Sequence, residues 1–159
     1  MKRRVWAGVL WCLALCWMAL CFYLSWQTGE ETVGVSLWVA KLLLRLLEKM
    51  NIRPNPATFH TNLRTLAHWG AFFAAGGLFG GALAVSLWGR KRWLMWTFLG
   101  GMLICTLSAG ASEIIKLWIP GRHLQWEELG LNVVGALCGV LPACLIGWLA
   151  TGKKRARRS

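Results

Sequence analysis

Four long apolar runs, separated by shorter polar segments, make up most of this chain. They cover residues 5–26, 66–88, 93–119 and 129–151. About 20 residues of α-helix cross the hydrocarbon core of a bilayer, so each run is long enough for one membrane-spanning helix. The pattern predicts an all-α fold: an integral membrane four-helix bundle that forms one transmembrane domain over residues 1–159.

The connection between the first two runs is longer than the others and contains VSLWVAKLLLRLLEKM at residues 35–50. Its polar side chains fall mostly on one side of a helix. The segment carries too many charges for a good spanning helix, and Pro54 and Pro56 prevent its continuation. We therefore predict an additional interfacial amphipathic helix between spans 1 and 2. This helix is either a lid over a lipid-facing site or a surface helix that only covers the bundle.

The first run has a basic start, as a cleaved secretory signal would have. Its apolar part is about 20 residues long, however, and no small-x-small cleavage site follows it. We expect a retained first helix.

The composition is that of a membrane protein, with 57% hydrophobic and 15% charged residues in a chain of 159. Twelve tryptophans suggest aromatic rings at lipid–water boundaries. All six cysteines lie inside the apolar runs, where cysteine behaves as a small hydrophobic residue. Because the sequence contains no CxxC pair, we expect no structural metal site, and we expect no cofactor.

The basic residues predict the orientation of the helices. Of the 18 Lys and Arg residues, 11 lie in residues 2–4, 90–92 and 153–158, and none of the six acids lies in these segments. Four spans place all three segments on one membrane face, and basic loops stay on the cytoplasmic side. The pattern predicts a multi-pass protein of the bacterial cytoplasmic membrane with both termini in the cytoplasm.

The net charge of +12 raises the question of a polyanionic partner. Because the charge is divided among short segments beside membrane spans, nucleic acid is not the expected partner. Anionic membrane lipids explain the pattern, at about 1 kcal/mol for each basic residue near the surface.

Glycines mark where the spans are expected to meet. GGLFGG at residues 76–81 and a second pair, Gly135 and Gly139, repeat at intervals of four. This spacing lets helix backbones approach closely in lipid. Packing within one chain is the first explanation, and a homodimer contact is the second.

Polar residues pair at helical spacing near the same end of three spans: Arg64 with His68, Glu113 with Lys116, and Glu128 with Asn132. Residues three or four apart share a helix face. An ionisable group inside a membrane span is a functional-site candidate because its burial has to be offset by a partner. The structural alternative is a Glu113–Lys116 pair that satisfies only itself.

These residues resemble the VanZ-like family of small bacterial membrane proteins, named after a protein implicated in resistance to the glycopeptide teicoplanin. The resemblance extends from Tyr23 to Gly139 and has three parts. They are Glu113 with Pro120-Gly121-Arg122, Glu128, Asn132 and Gly135; Arg64-x-x-x-His68; and YLSWQ at residues 23–27.

The chain departs from the family pattern at three positions. Ser112 stands where the family often has aspartate, Lys116 where it often has glutamine, and Glu128 where aspartate is usual. The missing carboxylate at Ser112 weakens any mechanism that needs two adjacent carboxylates. Lys116 either neutralises Glu113 or contacts an anionic substrate.

The resemblance implies a role in the cell envelope, including low-level teicoplanin resistance, but no particular reaction, so enzymatic activity stays open. A polar site at the external membrane face would bind or modify a lipid-linked or phosphorylated envelope component. Glu113 and His68 are the candidate acid and base. The candidate substrate-binding residues are Arg64, Lys116, Arg122, Glu128 and Asn132. The alternatives are a non-catalytic scaffold or binding protein and a small transporter in which Glu113 couples proton movement.

Overall fold

The computed structural model describes residues 2–27, 37–38, 41–42, 44–45, 48–49 and 55–156. Within them the fold is all-α. Its four long helices are α1 (Lys2–Trp26), α2 (Pro56–Leu87), α3 (Trp93–Ile115) and α4 (Trp126–Ala156), and a 3-10 turn (Lys116–Trp118) follows α3. The predicted interfacial helix over residues 35–50 lies largely outside the described residues and stays a prediction.

All four helices are long and apolar enough to cross a membrane, which confirms the number of predicted spans. The stretches that meet this criterion are Arg3–Trp26, Thr65–Leu87, Trp93–Trp118 and Trp126–Ala150. Large apolar side chains remain exposed along them, as expected for helices whose outer faces contact lipid rather than water.

Three helices begin earlier than the apolar runs indicate, and α1 does so by three residues, at Lys2. Helix α2 starts at Pro56, ten residues before the predicted span, because proline is well suited to the first helical position and the Asn55 carbonyl accepts from the N–H of Phe59. Helix α4 starts at Trp126, three residues early. Glu128 therefore lies in the first turn of α4, where an acidic side chain interacts favourably with the helix dipole.

Helices α2 and α4 pack with their backbones close together. A Cβ atom added at Gly76 would overlap the carbonyl oxygen of Ala136, and one added at Gly135 would overlap that of Trp69. Gly139 stands equally close to the carbonyl oxygen of Phe73. The glycine spacing thus serves packing within one chain, as predicted, and this contact places the start of α4 beside α2.

The buried core between the helices is formed by small and aromatic side chains from all four: Ala14, Met18, Phe72, Ala75, Phe79, Cys105, Ala109 and Ala136. Four of the eight are alanines, which allow the helices to approach one another.

An arginine links α1 to the opposite end of α2. Arg3 donates from Nε to the carbonyl of Val85 at 2.8 Å and from Nη2 to that of Trp88 at 2.7 Å. These carbonyls belong to the C-terminal end of α2, where helical partners are missing. We call this end of the bundle, with the start of α1 and the α2–α3 turn, the basic end. The other end, where α3 ends and α4 begins, is the polar end.

Exposed tryptophans lie near both ends of the helices. Trp6, Trp96 and Trp148 are near the basic end, and Trp26, Trp118 and Trp126 are near the polar end. Indole rings favour the boundary between lipid and water. Their positions agree with a helix bundle that has one boundary at each end.

The glycine contact predicts a position-specific effect of adding one methyl group. Gly139→Ala should lower the free energy of unfolding in detergent by more than about 2 kcal/mol, because the added Cβ would overlap the α2 backbone. Gly130→Ala in the same helix meets nothing within 4 Å and should be neutral or stabilising by up to about 1 kcal/mol. Equal effects at the two positions in thermal or denaturant unfolding would contradict the observed helix packing.

Candidate functional site

Three buried ionisable side chains meet at the polar end, and we call Glu113, Lys116 and Glu128 the buried cluster. The ammonium nitrogen of Lys116 donates to Glu113 Oε1 at 2.5 Å and to Glu128 Oε2 at 2.6 Å. The side chains of Lys116 and Glu113 are only 2% and 1% exposed, and that of Glu128 is 11% exposed. One lysine therefore joins the end of α3 to the start of α4.

The local fold explains how residues 113 and 128 come together. Helix α3 tightens into the 3-10 turn, and Gly121 then adopts φ 75°, a left-handed conformation that glycine adopts without strain. The chain turns back, and the backbone N–H of Gln125 donates to Glu113 Oε2 at 3.1 Å. Glu113 thus accepts one hydrogen bond from Lys116 and another from the backbone just before α4.

The charges in the buried cluster do not balance by themselves. Two carboxylates and one ammonium group have a formal charge of −1, and burial makes an uncompensated charge costly. His68 on α2 places Nε2 3.3 Å from Glu128 Oε2. Protonation of His68 would bring the formal charge of the four side chains to zero. The His68 side chain is 24% exposed, so the network reaches the surface at the histidine.

Asn132 lies one helical turn below Glu128 on the same face of α4 and is 1% exposed. Its Oδ1 atom is buried and has no hydrogen-bond partner among the described residues. Ser112, by contrast, donates its hydroxyl to the carbonyl of Ala109 in its own helix at 2.8 Å. Ser112 is therefore bonded to its own helix, while Asn132 has a buried acceptor without a partner among the described residues.

Arg122 contacts the end of α1. Its Nη1 donates to the carbonyls of Ser25 at 3.1 Å and Gln27 at 2.7 Å. This nitrogen satisfies one carbonyl in the last turn of α1 and one just after it, as Arg3 does for α2 at the basic end. The contact also brings residues 23–27 beside the Pro-Gly-Arg turn.

The structure thus unites most of the residues singled out in the sequence. His68, Glu113, Lys116 and Glu128 meet in one network, as the predicted convergence of three helices requires. The side chain of Arg64 lies outside the described residues. The sequence does not reveal the Lys116–Glu128 contact or the Gln125 N–H, although the short separation of the two charged residues across a Pro-Gly turn is a signal for the former.

The VanZ/LLP1 family model matches residues 10–147, which contain the buried cluster, His68 and Asn132. This chain belongs to the VanZ/LLP1 family. No curated protein and no solved structure matches it. The family membership and the four apolar helices together describe a VanZ-family membrane protein.

Lys116 bridges the two buried carboxylates of this VanZ/LLP1 site. Among the described residues, no three His, Cys, Asp or Glu side chains are grouped so that they could hold one. The ammonium group of Lys116 lies between the two carboxylates, where a metal cation would have to bind. The arrangement instead supplies a fixed ion pair and, through Glu128, a carboxylate partner for a histidine.

We predict a large loss of stability when Lys116, the only cation of the buried cluster, is replaced by an uncharged residue. Lys116→Met should cost about 3–5 kcal/mol of unfolding free energy, because two buried carboxylates lose their partner. Glu113→Gln in the same chain should recover at least about 1 kcal/mol of that loss by removing one of the two charges. Thermal unfolding of the purified protein in detergent measures both effects.

The matched control is Lys91→Met in the exposed α2–α3 turn, which should stay within about 0.5 kcal/mol of the parent protein. A Lys116→Met variant as stable as the control would mean that the buried cluster does not hold α3 and α4 together.

Proposed function

We propose that this VanZ/LLP1-family protein is a cell-envelope factor that binds a lipid-linked or anionic envelope component at the external membrane face. The observation that carries the proposal is the position of His68. It contacts Glu128 at 3.3 Å and is the most exposed of the four side chains in the network. A ligand at the surface would therefore meet a histidine supported by a buried charge network.

The distribution of charge supports the proposed external location. Arg4, Arg90, Lys91 and Arg92 are exposed and lie near the basic end, whereas the acids of the buried cluster lie at the polar end. Basic residues are retained on the cytoplasmic side. We therefore place both termini in the cytoplasm of a bacterium, with the multi-pass chain in its plasma membrane and the polar end outside.

We propose different roles for the two candidate acid–base residues, supported by their contacts. Glu113 is 1% exposed and accepts hydrogen bonds from Lys116 and from the backbone of Gln125, so it anchors the network. His68, with Glu128 as its carboxylate partner, is the group that exchanges a proton or a hydrogen bond with the ligand. A carboxylate behind a histidine fixes the orientation of the ring, as it does in many acid–base sites.

The basic residues are also assigned by their contacts. Lys116 neutralises the two carboxylates rather than a ligand phosphate. Arg122 holds the end of α1 in place through Nη1. Arg64 precedes His68 by one helical turn on the same face, so we assign the ligand's anionic group to Arg64.

The resemblance to the VanZ-like family supplies the expected phenotype, low-level protection against teicoplanin. A second candidate function is that of a non-catalytic scaffold. The near-complete burial of Lys116 and Glu113 favours it, because Lys116 also contacts Glu128 and so joins the end of α3 to the start of α4.

His68 separates the two candidate functions better than Glu113 does, because it is partly exposed while Glu113 is locked in the interior. His68→Gln keeps a hydrogen-bonding group near Glu128 but removes the ionisable ring. We expect loss of teicoplanin protection with a change in unfolding free energy below about 1 kcal/mol. Susceptibility of a host expressing each variant and thermal unfolding of the purified proteins are the two measurements.

His123→Gln is the matched control, since His123 is exposed in the turn before α4. It should leave both protection and stability unchanged. Retained protection in His68→Gln would refute the ligand-binding role. Protection that falls only in proportion to stability, across His68→Gln and Glu113→Gln, would favour the scaffold.

A further inference from the structure

We propose that Lys116 and Asn132 form a binding position for a neutral hydroxyl group of the ligand, below His68. This inference rests on the proposed function and specifies its substrate class: an envelope component with a hydroxyl-bearing headgroup, such as a sugar or polyol, in addition to its anionic group.

The first observation is the unsatisfied acceptor of Asn132. The residue is 1% exposed, and its Oδ1 has no hydrogen-bond partner among the described residues. Leaving a buried acceptor unsatisfied is costly, and native proteins rarely tolerate it away from functional sites. Helical side chains lean toward the N-terminus of their helix, so the amide of Asn132 lies over the turn that contains Glu128. Residues four apart share a helix face, so Asn132 lies on the same side of α4 as Glu128.

The second observation is the hydrogen-bonding capacity of Lys116. An ammonium group has three N–H donors, and the two carboxylates of the buried cluster each accept one. The third donor is not used by either carboxylate. A group bound beside Glu128 would thus find a donor on Lys116 and an acceptor on Asn132.

The ammonium nitrogen of Lys116 and Oδ1 of Asn132 determine which kind of chemical group can bind between them. A phosphate or carboxylate oxygen only accepts, so it could not satisfy Asn132 Oδ1. An ammonium group only donates, and it would be repelled by Lys116. A hydroxyl group accepts from Lys116 and donates to Asn132 with a single oxygen atom. It also adds no charge to a network in which charge is costly.

The exposed fraction increases from Asn132 to His68. Asn132 is 1% exposed, the Glu128 side chain 11% and the His68 side chain 24%. Exposure thus increases from α4 toward α2, so a ligand would enter past the histidine. Its hydroxyl would reach Lys116 and Asn132 while its anionic group stays near the start of α2.

A pair of lipid probes tests the hydroxyl position. Polyprenyl methyl phosphate is a phosphodiester that has the anionic group alone, and polyprenyl phosphate linked to one hexose is a phosphodiester of the same charge that adds hydroxyl groups to the same anchor. We expect the purified wild-type protein to bind the hexose-linked probe at least about tenfold more tightly, the effect of roughly one buried hydrogen bond. Asn132→Leu, which is similar in size but has no acceptor, should abolish that preference while retaining affinity for the methyl phosphate probe.

Thr97→Val is the matched control, because Thr97 Oγ1 is the other buried atom without a partner among the described residues and lies near the basic end. Removing that hydroxyl should leave the preference intact. Asn132→Ala, which cannot clash, repeats the test with a smaller side chain and should also lose the preference.

The outcomes separate this inference from the function on which it rests. Equal affinity of wild type for both probes, or a preference that survives in Asn132→Leu and Asn132→Ala, would overturn the hydroxyl position and leave the proposed function standing. Binding of neither probe to wild type would overturn both.

Discussion

The cost of placing charge inside an apolar bundle determines how the polar end is built. Two carboxylates at the junction of α3 and α4 are stable there only with a cation between them, and Lys116 supplies it with hydrogen bonds of 2.5 and 2.6 Å. The contact spans only twelve residues of sequence but joins two long helices. His68 on a third helix places Nε2 3.3 Å from the carboxylate of Glu128. Because these buried charges have to be compensated, the helices that carry them have to lie where the side chains can meet.

The rest of the fold holds the three helices in the arrangement that this network needs. Gly76, Gly135 and Gly139 bring α2 and α4 into backbone contact, so His68 can reach Glu128. At the two ends, Arg3 and Arg122 satisfy carbonyls at the termini of α2 and α1. These arginine contacts connect segments more than 80 residues apart in the chain. The network is therefore embedded in a bundle whose ends are fixed by other contacts.

The number of spans was predictable because apolar length is a direct requirement of the bilayer. The glycine contact followed from spacing, and the Glu113–Lys116 pair from its separation by three residues. The Lys116–Glu128 contact was not predictable, because it depends on how residues 119–125 turn back. The role of Arg122 was ambiguous, since a guanidinium group suits a phosphate and the carbonyls at a helix end alike. Only its position beside Ser25 distinguishes the two.

The most direct test of the central claim asks whether His68 is the member of the buried charge network that is accessible from outside the cell. The substitutions His60→Gln and His123→Gln would leave His68 as the one histidine of the chain. Intact cells that express this variant would be treated with a membrane-impermeant histidine reagent. The account predicts that His68 is modified from outside the cell and that a charge-removing change at Glu128, Glu128→Gln, alters the rate of modification. A histidine that reacts only in inverted vesicles, or at a rate independent of Glu128, would contradict the proposed site.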